Sequence, residues 1–168
     1  MINIIVAYDE EFAIGKDGNL PWSVPRDLNH FQKMTFNKAV VMGRKTWESL
    51  PPKAKPLPGR LNMVLSRTKR DIPLYFSPKD PYWGCSLEDA IRQITVISQG
   101  LDIFIIGGEE IFKEALKEGV VDRVIASEIV GKYDGDTFFP NLLEEGWKTA
   151  GEPEVFDDFK IVEYEKSE

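Results

Sequence analysis

Apolar and polar positions along this chain follow two alternating patterns. Near-continuous apolar runs predict strands that are buried on both faces of a sheet, and they lie at 2–8, 39–43, 61–65 and 101–106. Segments with helical spacing lie between them, and helices are predicted from Pro25 onward, over 44–50, from a Ser86 cap to about Ile97, and over 109–117. This alternation predicts an α/β protein with a doubly wound, mainly parallel sheet and helices on both faces.

The remaining pattern predicts the end of the sheet. We predict rigid or Pro/Gly-rich loops at 51–59 and 77–84, and further strands at 74–76, at 120–129, within 133–140 and at 159–165. The last strand should pair antiparallel with an earlier one, which gives the sheet an antiparallel C-terminal edge. The chain is 42% hydrophobic, without repeats or linker-like segments, so residues 1–168 are predicted to form a single domain.

The segment 15–31 combines a Gly/Asp/Asn loop, an aromatic residue at Trp22 and the start of a helix. Apolar positions of that helix predict an inward face made by Val24, Leu28, Phe31 and Thr35. Asp27 lies beside this face, and two interpretations of it are open. It is an early-helix acid that complements the helix dipole, or it is a carboxylate held in an apolar cleft under a mobile aromatic loop.

Basic residues are concentrated in one part of an otherwise acidic chain. The net charge is −7, but segment 38–70 has nine Lys or Arg residues against one acid, so its charge is +8 and that of the rest is −15. This concentration favours a local site for a small anionic ligand. A solvated basic face is the simpler alternative. Nucleic acid is disfavoured as a partner because the acidic remainder would repel a duplex.

Two predicted strand-to-helix junctions suit phosphate groups. Arg44 and Lys45 follow the second apolar run, and the pair at 107–108, two glycines, follows the fourth. Free N–H groups at a helix start bind anions, and glycines let a ligand approach the backbone. A lone glycine pair is often only a tight turn, but two such junctions suit a cofactor with separated phosphates. The basic cluster at 67–70 faces Arg44 if the second and third apolar runs are parallel neighbours.

Other residue counts exclude several classes of protein. Cys85 is the single cysteine, so no internal disulfide is expected, and a reducing compartment, the cytoplasm, is predicted. The N-terminal residues lack a signal-peptide pattern, and no apolar run approaches the roughly 20 residues that span a bilayer. We therefore expect no membrane association. With one histidine and one cysteine, no metal site of these ligands is expected, and no Ser-His-Asp set stands out.

Seven short motifs also resemble, in order, those of dihydrofolate reductase of the bacterial type, over nearly the whole chain. They are Ile14-Gly15, Leu20-Pro21-Trp22, Asp27-Leu28 with Phe31, VMGRKTWESL at 41–50, PLPGR at 56–60, IIGG at 105–108 and GDTFFP at 135–140. The resemblance implies an eight-stranded, doubly wound fold with about four helices. It also implies the reduction of 7,8-dihydrofolate to 5,6,7,8-tetrahydrofolate by NADPH, a step of one-carbon metabolism.

The resemblance implies roles for the residues around the acid. Asp27 would bind the amino group and a ring N–H of the pterin, and support protonation of N5 while a hydride reaches C6. Trp22 would hold a water and, with 14–20, form a loop over the nicotinamide. Arg60 would bind the substrate's glutamate α-carboxylate, a task that suits a planar, two-pronged donor. The remaining implied substrate-binding residues are Ile5, Ala7, Leu28, Phe31, Leu50, Leu57 and, behind the acid, Ser127.

For the cofactor, the resemblance implies two phosphate-binding helix starts and a basic site for the adenosine 2′-phosphate at Arg44 and the Arg67 region. The implied NADPH-binding residues are Ala7, Ile14, Gly15, Asn19, Leu20, Gly43, Arg44, Lys45, Thr46, Leu65, Ser66, Arg67, Ile106, Gly107, Gly108, Glu109, Glu110, Ile111 and Phe112. A cis peptide between the paired glycines is also implied. Asp136-Thr137 match a loop that supports closure of the Trp22 loop.

Three features depart from the family pattern: Phe112 in place of a frequent tyrosine, Ser127 in place of threonine, and a longer loop at 51–55.

Expected partners are dihydrofolate and antifolates such as methotrexate or trimethoprim, for a monomeric enzyme with a functional link to thymidylate synthase. Two alternatives stay open. A riboflavin-pathway reductase of related fold explains the NADPH junctions but fits Asp27 and Arg60 less well. A non-catalytic nucleotide-binding protein explains the basic segment but not the acid.

Overall fold

A computed structural model describes residues 1–67 and 80–168 of the chain. Its strands are β1 Ile2–Tyr8, β2 Ala13–Gly15, β3 Ala39–Gly43, β4 Leu61–Leu65, β5 Tyr82–Gly84, β6 Ile103–Gly107, β7 Arg123–Ile129, β8 Thr137–Phe138, β9 Trp147–Val155 and β10 Phe159–Lys166. Eight of them form one sheet in the order β5-β4-β3-β6-β1-β7-β10-β9, and β2 with β8 forms a separate two-stranded ribbon. The predicted eight-stranded sheet is confirmed.

The strand directions explain why the site lies at one edge of the sheet. From β5 to β7 all neighbouring strands are parallel, whereas β10 pairs antiparallel with both β7 and β9. The carboxyl ends of β1, β3, β4, β6 and β7 therefore meet at a common edge. This is where open α/β sheets bind their ligands. The predicted parallel sheet with an antiparallel C-terminal edge is confirmed.

In the described residues, four α-helices cover the sheet: α1 Pro25–Thr35, α2 Arg44–Ser49, α3 Leu87–Ile97 and α4 Glu109–Glu118. Pro25 is at the first position of α1, where its missing N–H leaves no hydrogen bond unmade. The hydroxyl of Ser86 accepts a hydrogen bond from the backbone N–H of Asp89 at 3.0 Å, so the predicted cap of α3 is confirmed. Gly119 ends α4 with a left-handed φ of 71°, which glycine adopts without strain.

Alternate residues of the strands point into two apolar layers, one on each face of the sheet. In β1, Ile4 and Val6 belong to one layer, and Ile5 belongs to the other. The second layer also contains Trp22 and Val24 from the segment around the start of α1. The candidate acid, Asp27, therefore projects from a helix that packs on this second layer. None of the helices within 1–67 and 80–168 is both long and apolar enough to cross a membrane.

Three strands were not predicted from the sequence, and two predicted strands begin later than expected, β6 at Ile103 and β7 at Arg123. Tyr82–Gly84, placed in a loop by its Pro and Gly neighbours, is the strand β5, and its three residues are too few to show a period. Strand β9 was not predicted because it is an edge strand whose side chains are almost all exposed after Trp147. Strand β2 is three residues long and pairs only with β8. The predicted strand at 74–76 lies outside the described residues.

Candidate functional site

Asp27 is the acid around which the site is built. It is the third residue of α1, and although its side chain is charged at neutral pH in most proteins, the residue is only 7% exposed. Burial raises the pKa of Asp27 above its ordinary value, and a hydrogen-bonding interaction with the Ser127 side chain partly opposes that rise. A carboxyl group with a raised pKa can act as, or support, a proton source near neutral pH.

Ser127 reaches Asp27 because of the register of two central strands. Ser127 on β7 is the partner of Ala7 on β1, and both lie at the carboxyl end of their strands. Ser127 is 2% exposed, so its hydroxyl is enclosed between the sheet and α1. The hydroxyl of Ser127, where the resemblance implies a threonine, thus still interacts with the acid.

Trp22 closes the apolar layer beside α1. Its side chain is buried, and its indole ring lies edge-on to the ring of Tyr133, with centroids 5.8 Å apart. The indole N–H is buried as well, and within the described part of the chain no acceptor takes its hydrogen bond. A buried donor of this kind is a point at which a ligand atom or a water fits.

Apolar residues implied for the substrate pockets lie together, with one exception. Those in the second apolar layer or packed against it are Ile5, Ala7, Phe31, Leu50 and Leu57. Leu28 is 55% exposed, so the prediction that it belongs to the inward face of α1 is wrong. The buried stripe of α1 is rotated toward Asp27 and away from Leu28, which lies at the margin of that stripe.

Arg60 is held in a fixed position at the start of β4. Its Nη1 donates to the hydroxyl of Thr35 at 3.1 Å, its Nε donates to the Pro58 carbonyl at 2.8 Å, and the guanidinium lies 6.0 Å from the centroid of the Phe31 ring. Partial burial lowers the pKa of Arg60, which remains a cation at neutral pH. The placement between α1 and β4 suits capture of a carboxylate from a substrate bound against the second apolar layer.

The two strand-to-helix junctions are neighbours in space. Met42 on β3 pairs with Gly107 on β6. A Cβ added to Gly43 would lie 3.1 Å from Cγ1 of Ile111 and 3.8 Å from both the Gly107 carbonyl oxygen and the Gly108 nitrogen. The Gly107-Gly108 peptide is cis, as the resemblance implies. The backbone atoms of Gly43, Gly107 and Gly108 therefore form one cradle, which these three residues leave open because they have no side chains.

This cradle fits the backbone-bound phosphates of a nucleotide cofactor. The hydroxyl of Thr46 would lie 3.5 Å from a Cβ at Gly108 and 3.7 Å from one at Gly107, so it reaches across to the second junction. Phe112 is buried against Gly107, with ring carbons 3.5 Å from the position of the missing Cβ. The ten-residue helix α4 begins there and presents its first N–H groups. Glu110 is exposed, whereas Ile106 and Ile111 are partly buried.

Basic residues lie beside the cradle. Strands β3 and β4 are parallel neighbours, with Gly43 opposite Leu65, so the residues after each strand lie at the same edge, as predicted. Nε of Arg44 forms a 2.8 Å ion pair with Glu48, and Arg67, 80% exposed, lies 3.9 Å from Glu114. Lys45 is exposed, whereas Leu65 and Ser66 are buried. Residues 68–70 of the predicted basic cluster lie outside the described residues.

The loop before Trp22 is attached to the β2–β8 ribbon. The backbone N–H of Asp17 donates to Oδ2 of Asp136 at 2.9 Å, and the N–H of Asp136 donates to the Gly15 carbonyl at 2.9 Å. A Cβ on Gly15 would lie 2.7 Å from the Thr137 hydroxyl. Ile14 packs against the first apolar layer, while Asn19 and Leu20 are exposed. This places the 136–137 segment against the loop, as the resemblance implies.

Sequence reasoning missed two titratable groups near the acid. His30, one turn after Asp27, lowers the pKa of Asp27, and Asp158 in the turn between β9 and β10 raises it. Nε2 of His30 is buried, and no group in the described residues pairs with it. The i, i+3 spacing on a predicted helix could have identified His30. No local signal could have identified Asp158, which approaches α1 only through the fold.

Together these features define a class: a doubly wound α/β enzyme with a buried acid at the same sheet edge as a glycine-lined, basic cradle for a phosphate-bearing cofactor. The sequence model of the family described as dihydrofolate reductase matches residues 1–166. The chain belongs to the dihydrofolate reductase family. This membership favours a dihydrofolate reductase over the two alternatives, a riboflavin-pathway reductase and a non-catalytic protein.

Individual relatives agree with this assignment. The dihydrofolate reductase of Bacillus subtilis is 32% identical over 99% of this chain and 95% of its own length, and that of Haemophilus influenzae is 37% identical over 94% and 87%. A bifunctional dihydrofolate reductase-thymidylate synthase of Arabidopsis thaliana is 40% identical over 83% of this chain, which spans about 26% of that protein. The structure of Enterococcus faecalis dihydrofolate reductase complexed with NADP(H) and RAB-propyl superposes with a TM-score of 0.78, at 30% identity, over 100% of this chain and 97% of the other.

Proposed function

We propose that Asp27 supports the proton transfer in the reaction that this family catalyses. By its family, the chain is an oxidoreductase that reduces 7,8-dihydrofolate to 5,6,7,8-tetrahydrofolate with NADPH. One observation carries the proposed role of the acid: Asp27 is buried on the apolar layer that contains Trp22, and burial raises its pKa. Among the candidate site residues it is the one carboxyl group with these properties in the described chain.

The chemistry requires a proton as well as a hydride. When bound, NADPH supplies the hydride that reaches C6 of the pterin. A carbon bonded to a protonated nitrogen accepts a hydride more readily, so protonation of N5 lowers the barrier. Asp27 would bind the pterin amino group and ring N–H. The buried indole N–H of Trp22 would hold a water that donates or relays the proton to N5.

Other residues would bind and orient the two ligands. The planar guanidinium of Arg60 suits the glutamate α-carboxylate, while Ile5, Phe31 and Leu57 offer the apolar wall that a pterin and a benzoyl ring require. For the cofactor, the cradle of Gly43, Gly107 and Gly108 with Thr46 fits the phosphates, and Arg44 with Arg67 fits the 2′-phosphate. Exclusion of water by the apolar layer would strengthen the electrostatic contacts made in the pocket beside Asp27, but not those of the exposed Arg44 and Arg67.

Further proposals concern the partners of the enzyme. Antifolates such as methotrexate and trimethoprim should compete with dihydrofolate for the pocket beside Asp27. Residues 1–168 would act as one domain, because one sheet of the described residues extends from β5 to β9, and the proposed enzyme is a monomer. The bifunctional relatives support a functional link to thymidylate synthase. Cytoplasmic localisation fits a chain whose single cysteine, Cys85, is free and exposed.

The direct test is loss of NADPH absorbance with dihydrofolate, in the wild type and in the Asp27→Asn variant, each repeated with methotrexate. The proposed role of Asp27 requires a methotrexate-sensitive rate in the wild type and a rate reduced by roughly 10²- to 10⁴-fold in the variant. Turnover of the variant at nearly the wild-type rate would remove Asp27 from the mechanism.

A further inference from the structure

The side chain of Glu109 connects the cofactor cradle to the ribbon that carries the Trp22 loop. Glu109 is the first residue of α4 and directly follows the glycine pair. Its Oε2 accepts a hydrogen bond from the backbone N–H of Phe138 at 3.2 Å, and its Oε1 forms a 2.6 Å ion pair with Lys113 one turn later. Both carboxylate oxygens are thus engaged by the protein, and the side chain is 25% exposed.

The Phe138 N–H is available because of the geometry of the ribbon. Phe138 is the second residue of β8, and the N–H of the next residue, Phe139, donates across the ribbon to the Phe12 carbonyl at 2.8 Å. Successive N–H groups of a strand point to opposite sides. The Phe138 N–H therefore points away from β2, toward α4, where Glu109 accepts it.

A second contact joins α4 to Phe139, the residue directly after β8. Phe112, three residues after Glu109 on α4, packs its ring against that of Phe139, with centroids 5.3 Å apart and an interplanar angle of 79°. The first turn of α4 therefore holds the β2–β8 ribbon at two adjacent residues. The ribbon in turn binds the Trp22 loop through Asp136, which accepts from the Asp17 N–H.

An acid at this position is unfavourable as a direct ligand of phosphate. A carboxylate beside the N-terminus of α4 occupies the positive end of the helix dipole and repels a phosphate that binds there. The ion pair with Lys113 offsets this charge. The engaged oxygens and the repulsion both indicate that the side chain acts on the protein, while the backbone N–H groups of α4 remain available to the cofactor.

We propose that Glu109 is a positioning residue, whose carboxylate holds the β2–β8 ribbon on the first turn of α4 and so keeps the Trp22 loop over the reacting groups. This inference rests on the proposed function, because it gives the loop the task of covering the site. It assigns the Glu109 side chain to loop placement rather than to cofactor binding. The contact would thereby couple the cofactor cradle to the cover of the substrate pocket.

The test compares Glu109→Ala, which removes the acceptor, with Glu109→Gln, which keeps an acceptor oxygen but not the charge. Hydrogen exchange of the Phe138 amide is measured without ligands, and the single-turnover rate of hydride transfer and the Kd for NADPH are measured separately. In Glu109→Ala we expect faster exchange at Phe138, a rate lower by roughly three- to tenfold, and no weakening of NADPH binding. Glu109→Gln should restore the rate to within about twofold of the wild type.

Glu118→Ala, an exposed substitution at the other end of α4, is the matched control and should change none of the three quantities. Lys113→Met keeps the acceptor but removes the cation that orients it, and should raise exchange at Phe138 less than Glu109→Ala does. Weaker NADPH binding with a normal rate at saturation would overturn the proposal, because Glu109 would then be a cofactor ligand. Unchanged exchange and rate in Glu109→Ala would overturn it as well. Because exchange is measured without substrate, it tests the Glu109 contact even if the wild type fails to reduce dihydrofolate.

Discussion

Nη1 of Arg60 donates a hydrogen bond to the Thr35 hydroxyl across 3.1 Å, which joins the residue before β4 to the last residue of α1. Thr35 is fully buried, and its own hydroxyl donates to the Phe31 carbonyl at 2.8 Å. The guanidinium is therefore oriented before any ligand arrives. A pre-oriented planar fork loses little side-chain freedom when it binds a carboxylate.

Arg60→Leu should weaken dihydrofolate binding by about 2 kcal/mol or more, because the substrate carboxylate would lose its paired cation. Titration of the variant with dihydrofolate, followed by tryptophan fluorescence, measures this loss. NADPH affinity should stay unchanged. Arg60→Lys should recover little of the binding, because an ammonium group cannot form the two parallel hydrogen bonds. Arg92→Leu, on the exposed side of α3, is the control. An unchanged Kd for dihydrofolate in Arg60→Leu would contradict the assignment.

Asp27→Asn should lower the rate of hydride transfer by roughly 10²- to 10⁴-fold while the fold is retained. The amide keeps the shape of the side chain and its contact to Ser127, but it cannot support protonation of N5. Single-turnover measurements across pH separate this effect from binding. The wild-type rate should fall as pH rises through the raised pKa of Asp27, because the protonated carboxyl becomes scarce. The rate of the variant should lack that dependence, and a shared pH profile would exclude Asp27 as its origin.

The same raised pKa makes a prediction about stability. Native Asp27 binds its proton more tightly than the unfolded chain does, so folding is favoured at low pH. That contribution is lost as pH rises from the ordinary carboxyl pKa, about 3.9, through the raised value. Asp27→Asn should therefore unfold at a higher denaturant concentration than the wild type at pH 7, and the difference should shrink near pH 3. A variant that is less stable than the wild type at pH 7 would show that the ionised carboxylate stabilises the native state.

Much of the fold could be predicted because its central strands are buried on both faces. Strands β3 and β4 have the predicted bounds, since an apolar run ended by glycine or by polar residues leaves little ambiguity. Edge strand β9 has no such run, and short strands such as β5 have no period. Only tertiary pairing defines them, and a single sequence does not show pairing.

The burial of the site residues could not be predicted from helical spacing alone. The spacing around Asp27 indicated an acid on an apolar helix face, but it could not distinguish a buried carboxylate from a helix-end charge. Asp27 is buried because α1 packs on the second apolar layer, and Ser127 lies beside it because of the register of β1 and β7. Leu28 was predicted to be buried but is exposed, because helical spacing alone did not reveal that the buried stripe of α1 turns toward Asp27.

Arg44 and Arg67 should set the preference for NADPH over NADH. Both are exposed, and each pairs with an acid, Glu48 or Glu114, so each should contribute less than about 1 kcal/mol to binding of the 2′-phosphate. The double variant with alanine at both positions should therefore lower the ratio of kcat/KM for NADPH to that for NADH by roughly tenfold. The effect should diminish in high salt. Equal use of the two cofactors by the wild type would contradict the assignment, and Arg92→Ala provides the control.

Gly135 is predicted to be essential for the close approach of the ribbon to the Trp22 loop. A Cβ at this position would lie 2.5 Å from the Ala13 Cβ and 2.7 Å from the Gly15 carbonyl oxygen, so β2 and the segment before β8 would have to separate. Gly135→Ala should therefore cost about 1–3 kcal/mol of stability by overpacking and lower the rate of hydride transfer by loosening the loop. Urea unfolding and single-turnover kinetics measure the two effects.

Loss of stability alone could lower activity, so Gly135→Ala needs a control that is destabilised elsewhere. Gly146→Ala serves this purpose because Gly146 has a φ of +83° and nothing within 4 Å of the added Cβ. Backbone strain there should cost about 1 kcal/mol without touching the ribbon. We expect both variants to unfold at lower urea, but only Gly135→Ala to lose activity under native conditions. Equal rates in the two variants would mean that the contact of Gly135 with Ala13 and Gly15 has no part in placing the loop.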